Sequence, residues 1–199
     1  MRDLVLYVHG KGGSSAESEH FIPLFPDFEV IGLDYKTITP WDTRTEIREA
    51  MGKLKDKYGS IILIANSIGA YFCLNAGIDV MIRKAYFISP VVDMERLILD
   101  MMALENVSEI KLKDKGVIKA SFGEELSWEY LSYVRDHPVR WAVPTRILYG
   151  RHDSLIPFHT VAAFSNAHGA ELTVYEEGEH WFHTAAQMRF MDQWIAKMF

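Results

Sequence analysis

Three residues that together could activate a nucleophile lie far apart in this chain. Ser67 interrupts an apolar run, whereas Asp153 and His180 each lie on a loop just after a later segment with the pattern of a β-strand. A serine hydroxyl is a weak nucleophile until a histidine removes its proton, and an aspartate can orient that histidine. If the fold brings the three side chains together, they could attack a carbonyl carbon.

The elements that must position these residues follow from the apolar periodicity. Apolar runs of strand length alternate with segments of helical period, which is typical of a parallel sheet covered by helices on both faces. The carboxyl ends of parallel strands meet at one edge of the sheet, where ligands bind. The predicted strands are residues 4–8, 28–34, 61–66, 84–88, 145–149 and 172–175, and the predicted helices include residues 42–58, with Asp42 as N-cap, and 68–77.

The residues around Ser67 have the pattern of a nucleophile elbow. A serine at a sharp strand-to-helix turn requires small residues two positions before and two after, because the strand and the helix nearly touch there. Ala65 and Gly69 occupy those positions. The usual pattern is G-x-S-x-G, so Ala65 is a departure, but it adds only one methyl group.

A glycine-rich loop follows the first predicted strand. The loop contains His9, Gly10, Lys11 and two further glycines, so its backbone amides can approach a substrate oxygen closely. The amide of Lys11 could pair with that of Ile68, next to the serine, to form an oxyanion hole.

The order serine, acid, histidine, with each residue just beyond a strand, resembles the α/β-hydrolase superfamily and in particular its small, compact, esterase-like members. The resemblance covers essentially the whole chain. It implies an α/β fold with a mostly parallel six-stranded sheet, helices on both faces and a small helical cap. It also implies that Ser67 is the nucleophile, His180 the general base and acid, and Asp153 the residue that orients the imidazole. Members with other reactions mostly carry Asp or Cys as the nucleophile, which Ser67 disfavours.

The segment at residues 91–143 is much longer than an ordinary connection between strands. We expect one domain over residues 1–199, with this segment as a helical cap inserted into it. Its many Met and Leu residues could line an acyl pocket or could be ordinary core, and the core interpretation is favoured. Four aromatic residues could likewise line the pocket or pack the cap: Trp128, Tyr130, Tyr133 and Trp141.

Several residues compete for the proposed roles. Asp93 follows the fourth strand and is an alternative acid, while His183 is an alternative base three residues after His180. We favour Asp153 and His180, because Asp153 leaves the penultimate strand and His180 lies on the loop before the last helix. His9 is expected to order its loop. The Lys11 side chain could attract an anionic substrate, but a solvated side chain is the favoured interpretation.

Composition limits the partners. The formal net charge of −6 and the absence of a lysine and arginine cluster argue against binding to nucleic acid. The chain has one cysteine, no secretory signal and no apolar run long enough to cross a bilayer, so we expect a cytoplasmic protein that does not bind membranes. The histidine spacings are not those of zinc sites, and we expect neither a metal nor another cofactor.

The sequence therefore predicts a serine hydrolase that acts on a small acyl substrate and cleaves a carboxylic ester. Thioester or amide cleavage is open on the same machinery, and so is perhydrolase-like activity. The alternative is a catalytically silent protein that uses this scaffold to bind a small ligand or another protein.

Overall fold

The described chain, residues 2–197 of a computed structural model, is organised around a large parallel sheet. This sheet has six strands in the order β2-β1-β3-β4-β7-β8, and every neighbouring pair is parallel. The predicted six-stranded sheet is therefore confirmed. The strands in chain order are β1 (Leu4–Val8), β2 (Glu29–Gly32), β3 (Ile61–Asn66), β4 (Lys84–Ile88), β5 (Val117–Lys119), β6 (Glu125–Ser127), β7 (Thr145–Gly150) and β8 (Glu171–Tyr175).

Helical segments lie between successive strands of the six-stranded sheet. The α-helices are α1 (Pro40–Leu54), α2 (Ile68–Ala76), α3 (Met94–Leu104), α4 (Glu109–Lys115), α5 (Trp128–Asp136), α6 (Phe158–His168) and α7 (Ala185–Ala196), and two 3₁₀ segments span Ser15–Leu24 and Asp79–Met81. Among the described residues, no helix is both long and apolar enough to cross a membrane.

Apolar side chains alternate between the two faces of the sheet and form a layer on each. Leu6 of β1 packs in the layer that contains residues of α1, α2 and α6. Val5, its neighbour in the strand, packs in the opposite layer with residues of α7 and of the 3₁₀ segment Ser15–Leu24. Both side chains are fully buried, so helices cover both faces of the sheet as predicted.

The strand order explains why distant loops converge. β1 lies between β2 and β3, so the chain changes direction across the sheet at this point. The loop after β1 and the turn after β3 therefore lie side by side at the carboxyl edge, where ligands bind in open α/β sheets. The loops after β7 and β8 reach the same edge, because these strands are parallel to the others.

The start of α1 differs from the sequence prediction. Asp42 was expected to be the N-cap, but the helix begins at Pro40 and Thr39 is the N-cap, with its hydroxyl accepting the Asp42 backbone N–H at 3.4 Å. The expectation was wrong because proline fits the first helical position, where its missing N–H costs nothing.

The segment between β4 and β7 contains α3, α4, an antiparallel hairpin of β5 and β6, and α5. The hairpin was not predicted, because its two strands have three residues each and little burial. In α3, Met94, Ile98 and Met102 are buried in the same apolar layer as α1 and α2. These three residues are therefore core, which is the interpretation that the sequence favoured.

Candidate active site

Ser67 lies at the sharp turn between β3 and α2, in a strained backbone conformation. Its φ of 50° and ψ of −123° are rare for a residue with a side chain. Such a conformation persists only where the surroundings hold it. Here the Ser67 N–H donates to the Ile88 carbonyl at 3.0 Å, and the Ser67 carbonyl accepts from the Val91 N–H at 3.0 Å. The predicted elbow geometry is thus present.

The small residues beside Ser67 allow backbones to approach closely. A Cβ atom on Gly69 would lie 2.4 Å from the His9 carbonyl oxygen and 2.7 Å from that of Val8, which is closer than real contacts permit. A Cβ atom on Gly10 would lie 3.1 Å from the Ser67 Cβ. The glycine-rich loop therefore packs directly against the serine turn, and glycine is required at position 69.

The three candidate residues form one chain of hydrogen bonds. Ser67 Oγ lies 2.9 Å from His180 Nε2, and His180 Nδ1 lies 2.7 Å from Asp153 Oδ2. The Asp153 side chain is fully buried, whereas that of His180 is 21% exposed. A buried carboxylate beside Nδ1 favours the tautomer with the proton on Nδ1, which leaves Nε2 free to accept the serine proton.

Backbone amides hold the Asp153 carboxylate in place. Its second oxygen, Oδ1, accepts the N–H groups of Leu155 and Ile156, both at 2.9 Å. A buried carboxylate is costly unless its oxygens are hydrogen-bonded, and these two donors satisfy the oxygen that does not face the histidine. The loop after β7 thereby fixes both the position and the orientation of the carboxylate.

Comparison with known proteins identifies the architecture. No protein-family model matches the chain, and no curated protein matches it. Among solved structures, Est1E from Butyrivibrio proteoclasticus has a TM-score of 0.75 and 18% identity over 98% of this chain and 86% of its own. α/β-Hydrolase domain-containing protein 10 from mouse has a TM-score of 0.78 and 16% identity over 98% and 88%. The chain has the α/β-hydrolase fold. A monoacylglycerol lipase from Paleococcus ferrophilus is a further neighbour, with a TM-score of 0.64 and 14% identity over 98% of this chain and 94% of its own.

Within this α/β-hydrolase fold, Gly150 and Gly178 allow the loop after β7, which carries Asp153, to contact the loop after β8, which carries His180. A Cβ atom on Gly150 would lie 2.5 Å from the carbonyl carbon of Gly178 and 2.5 Å from the Glu179 oxygen. The His152 N–H also donates to the Gly178 carbonyl at 2.8 Å. The end of β7 therefore rests directly on the loop that carries His180.

Asp93 and His183, the alternative acid and base, have other hydrogen-bond partners in the α/β-hydrolase fold. Asp93 is the N-cap of α3, and its side chain accepts the Arg96 N–H at 2.9 Å. His183 Nδ1 lies 2.8 Å from the Trp181 carbonyl oxygen, to which it can donate. In the described chain neither residue is hydrogen-bonded to Ser67 or His180, so the geometry favours the pair that the sequence favoured.

His9 orders the glycine-rich loop, as expected. Its ring stacks on Tyr35 with centroids 4.3 Å apart, and its Nδ1 lies 2.8 Å from the Gly10 carbonyl oxygen. The Tyr35 hydroxyl donates to the His9 carbonyl at 2.8 Å. Contacts of both the His9 ring and the His9 carbonyl group therefore hold the loop in place.

One residue of the predicted oxyanion hole follows Ser67 in the chain, and the other lines the same pocket. Ile68 is the first residue of α2, and Lys11 lines the pocket that contains Ser67 and His180. The Lys11 ammonium group forms an ion pair with Glu124, in the turn of the β5–β6 hairpin, and 64% of the lysine side chain is exposed. Because the charge is paired at the surface, the solvated interpretation of the Lys11 side chain is favoured. The pairing also joins the β5–β6 hairpin to the glycine-rich loop beside Ser67.

Two adjoining pockets open beside Ser67. The first has a volume of about 470 Å³ and contains Ser67, His180 and the glycine-rich loop. The second has a volume of about 370 Å³ and shares Glu17, Asn66 and Trp181 with the first. None of the four aromatic residues considered for the cap lines either pocket. Tyr130 and Tyr133 instead contact Trp41 of α1, and their ring centroids lie 6.2 and 5.5 Å, respectively, from that of Trp41. These contacts pack α5 against α1.

No metal site is evident in the part of the chain that the structure describes. Within residues 2–197, no group of three His, Cys, Asp or Glu side chains could hold a metal ion.

The buried Tyr149 hydroxyl is expected to make the stability of the fold decrease at alkaline pH. Its hydroxyl donates to the Ile156 carbonyl at 2.7 Å, and burial, followed by the nearby Asp153 charge, raises its pKa from 10.0 to about 12. Because the folded pKa is the higher one, the stabilisation is fully present below pH 10 and is lost as the pH rises towards 12. We expect the free energy of unfolding in urea to fall over this interval, and to fall less in Tyr149→Phe. An equally steep fall in the variant would contradict this role.

Proposed function

We propose that this protein is a serine hydrolase that cleaves a carboxylic ester through an acyl-enzyme on Ser67. The observation that carries the proposal is the hydrogen-bond chain from Ser67 through His180 to Asp153, at 2.9 and 2.7 Å, with the serine on a strained elbow. These distances lie within the range over which a base can take the proton of a nucleophile. Thioesters and amides can react by the same steps.

The chemistry follows from the positions of the protons. His180 Nε2 takes the Ser67 hydroxyl proton as the oxygen attacks the acyl carbon, and then gives it to the departing alkoxide. Asp153 stabilises the resulting imidazolium and keeps the ring in its orientation. Water then attacks the acyl carbon while it gives a proton to His180. As the bond between the acyl carbon and Ser67 Oγ breaks, His180 returns that proton to the serine oxygen, so the acid leaves and the hydroxyl is regenerated.

The backbone amides of Lys11 and Ile68 are proposed as the oxyanion hole. Removing one such donor in other serine hydrolases costs about 3–4 kcal/mol of transition-state stabilisation. The proposal is supported by the packing of Gly10 against the Ser67 turn, which holds the loop carrying the Lys11 amide beside the nucleophile. The structural neighbour described as a monoacylglycerol lipase is consistent with ester chemistry, although fold alone does not choose the substrate.

A fluorophosphonate probe tests this function without knowledge of the substrate. Such a probe phosphonylates an activated serine but not an ordinary one. We expect labelling of the wild type, with the adduct mapped to Ser67 by peptide mass spectrometry, and none in Ser67→Ala. Ser154→Ala is the matched control, because Ser154 is an exposed serine in the loop after β7. Absence of labelling in a folded wild type would favour the silent binding protein instead.

We expect the contact between Gly150 and the loop that carries His180 to affect the rate of ester hydrolysis. In Gly150→Ala the new methyl group would meet backbone atoms of Gly178 and Glu179, so the histidine loop must move. A displacement of about 1 Å in a catalytic group can cost about 100-fold in rate, and we expect a loss of that order in kcat for p-nitrophenyl acetate. Unchanged kcat would show that the contact does not position His180.

A further inference from the structure

The second pocket beside Ser67 combines an apolar floor with a polar rim. Its floor contains Phe21, Ile88 and Phe182, whose side chains are at most 6% exposed. The second pocket adjoins the one that contains Ser67 and His180, because Glu17, Asn66 and Trp181 line both. Its volume of about 370 Å³ is at the lower end of the range for small-molecule sites.

Aromatic rings form much of this pocket. The Tyr7 and Phe21 rings contact each other with centroids 5.1 Å apart, and Phe182 lies at the floor. At the rim, Trp181 stacks on His183 with centroids 4.6 Å apart, yet 68% of the tryptophan is exposed. A large exposed aromatic side chain next to a reactive centre is available to contact a ligand.

Glu17 gives the pocket its charge. Glu17 Oε2 accepts the Tyr7 hydroxyl at 2.5 Å and Oε1 accepts the Ser14 N–H at 3.0 Å. A carboxylate has about four acceptor positions, so these two bonds leave room for a cation. Burial, followed by the bond to Glu17, raises the pKa of Tyr7, so the tyrosine keeps the proton that it donates to the carboxylate.

Two histidines, His20 and His183, also line this pocket. His20 Nε2 lies 2.7 Å from Asp192 Oδ1, and His183 Nδ1 lies 3.7 Å from Glu179 Oε2. Each histidine therefore has a carboxylate behind it. Among the described residues, no lysine or arginine lines this pocket.

We propose that the second pocket binds a small alkylammonium group of the substrate, with the exposed Trp181 ring contacting its methyl groups and the Glu17 carboxylate supplying the opposite charge. Cations bind over aromatic faces because the ring quadrupole is negative there, and a nearby carboxylate adds to the attraction. The inference rests on the proposed function in that the bound group would belong to an ester whose carbonyl lies at Ser67. The substrates are thus esters with a cationic arm.

Choline and 3,3-dimethyl-1-butanol test the inference by binding alone. The two alcohols have the same shape, but the second has carbon in place of the charged nitrogen. By isothermal titration calorimetry on the wild-type protein, we expect choline to bind about tenfold more tightly, a difference that cation–π contact and charge pairing can supply. Equal affinity would overturn the inference.

Substitutions assign the preference to this pocket. In Glu17→Gln the ratio of the two affinities should fall to near one, whereas Glu19→Gln, an exposed acid two residues away, should leave it unchanged. Because Glu17 also ties down its loop, Trp181→Leu provides a second variant at an exposed position, and we expect about tenfold weaker choline binding. An unchanged ratio in Glu17→Gln, or unchanged choline binding in Trp181→Leu, would refute the assignment.

Kinetics then separate this inference from the proposed function. The wild type should hydrolyse acetylcholine with a higher kcat/KM than its uncharged isostere 3,3-dimethylbutyl acetate, and Glu17→Gln should remove the difference. Fluorophosphonate labelling of Ser67 without any preference for the cation would defeat the inference alone. Preferential choline binding without labelling would defeat the proposed function instead.

Discussion

Replacing Ser67 by alanine is expected to lower kcat/KM for p-nitrophenyl ester hydrolysis by about 10³- to 10⁶-fold. The change removes the oxygen that attacks the acyl carbon, while His180 and Asp153 retain their own hydrogen bond at 2.7 Å. The remaining pair, His180 and Asp153, could then activate only a water molecule as the nucleophile. The measurement is hydrolysis of esters from short to long acyl chain by both proteins in parallel, and the chain-length dependence of the wild type indicates the size of the acyl site.

The control for this experiment must distinguish lost chemistry from lost folding. Alanine at position 67 has to adopt the same φ of 50° as the serine, so we expect a similar melting temperature. Ser154→Ala should keep full activity, because that side chain is exposed and makes no part of the proposed site. A Ser67→Ala protein that retained more than about a tenth of the activity would exclude the acyl-enzyme on Ser67.

The backbone at Ser67 is held in a strained conformation by the residues around it. A residue held at positive φ costs on the order of 1–3 kcal/mol. The hydrogen bonds to Ile88 and Val91 and the close packing of Gly10 maintain the conformation. Neither propensity nor burial favours this geometry, but it exposes a side-chain oxygen between a strand and a helix, where His180 can reach it.

The sequence predicted the sheet because its strands have a strong local signal. Residues of β1, β3 and β4 are apolar almost without interruption, as expected for strands buried on both faces. The turn at Ser67 was predictable for a related reason, since small residues at positions 65 and 69 are a steric requirement of that turn. These features depend on only a few neighbouring residues.

Other features depend on contacts between distant segments. The β5–β6 hairpin has strands of only three residues each, and Leu126 alone among them is buried, so they give no period to detect. The contact of Gly150 with Gly178 joins loops that are separate in the chain, and glycines of that kind look like ordinary turn residues. The second pocket was also missed, because Glu17, Asn66 and Trp181 come together only when the loops after β1, β3 and β8 meet at one edge.

Gly69→Ala is expected to destabilise the protein by about 2–4 kcal/mol, which is a large effect for one methyl group. The new Cβ would lie 2.4 Å from the His9 carbonyl oxygen and 2.7 Å from that of Val8. Both are backbone atoms at the end of a central strand, and they have no flexible side chain that could yield. Relief therefore requires α2 to move away from β1, which also moves the Ser67 turn. The free energy of unfolding in urea measures the effect.

Gly52→Ala provides a matched control with the opposite expected sign. Gly52 lies inside α1, and a Cβ atom there would have no atom within 4 Å. Alanine is favoured over glycine in a helix interior, so this variant should be stabilised by about 0.5–1 kcal/mol. The two substitutions add the same methyl group, and the difference between them isolates the contact with the glycine-rich loop. If Gly69→Ala were as stable as the wild type, β1 and α2 would not be as closely packed at the elbow as the distances from Gly69 indicate.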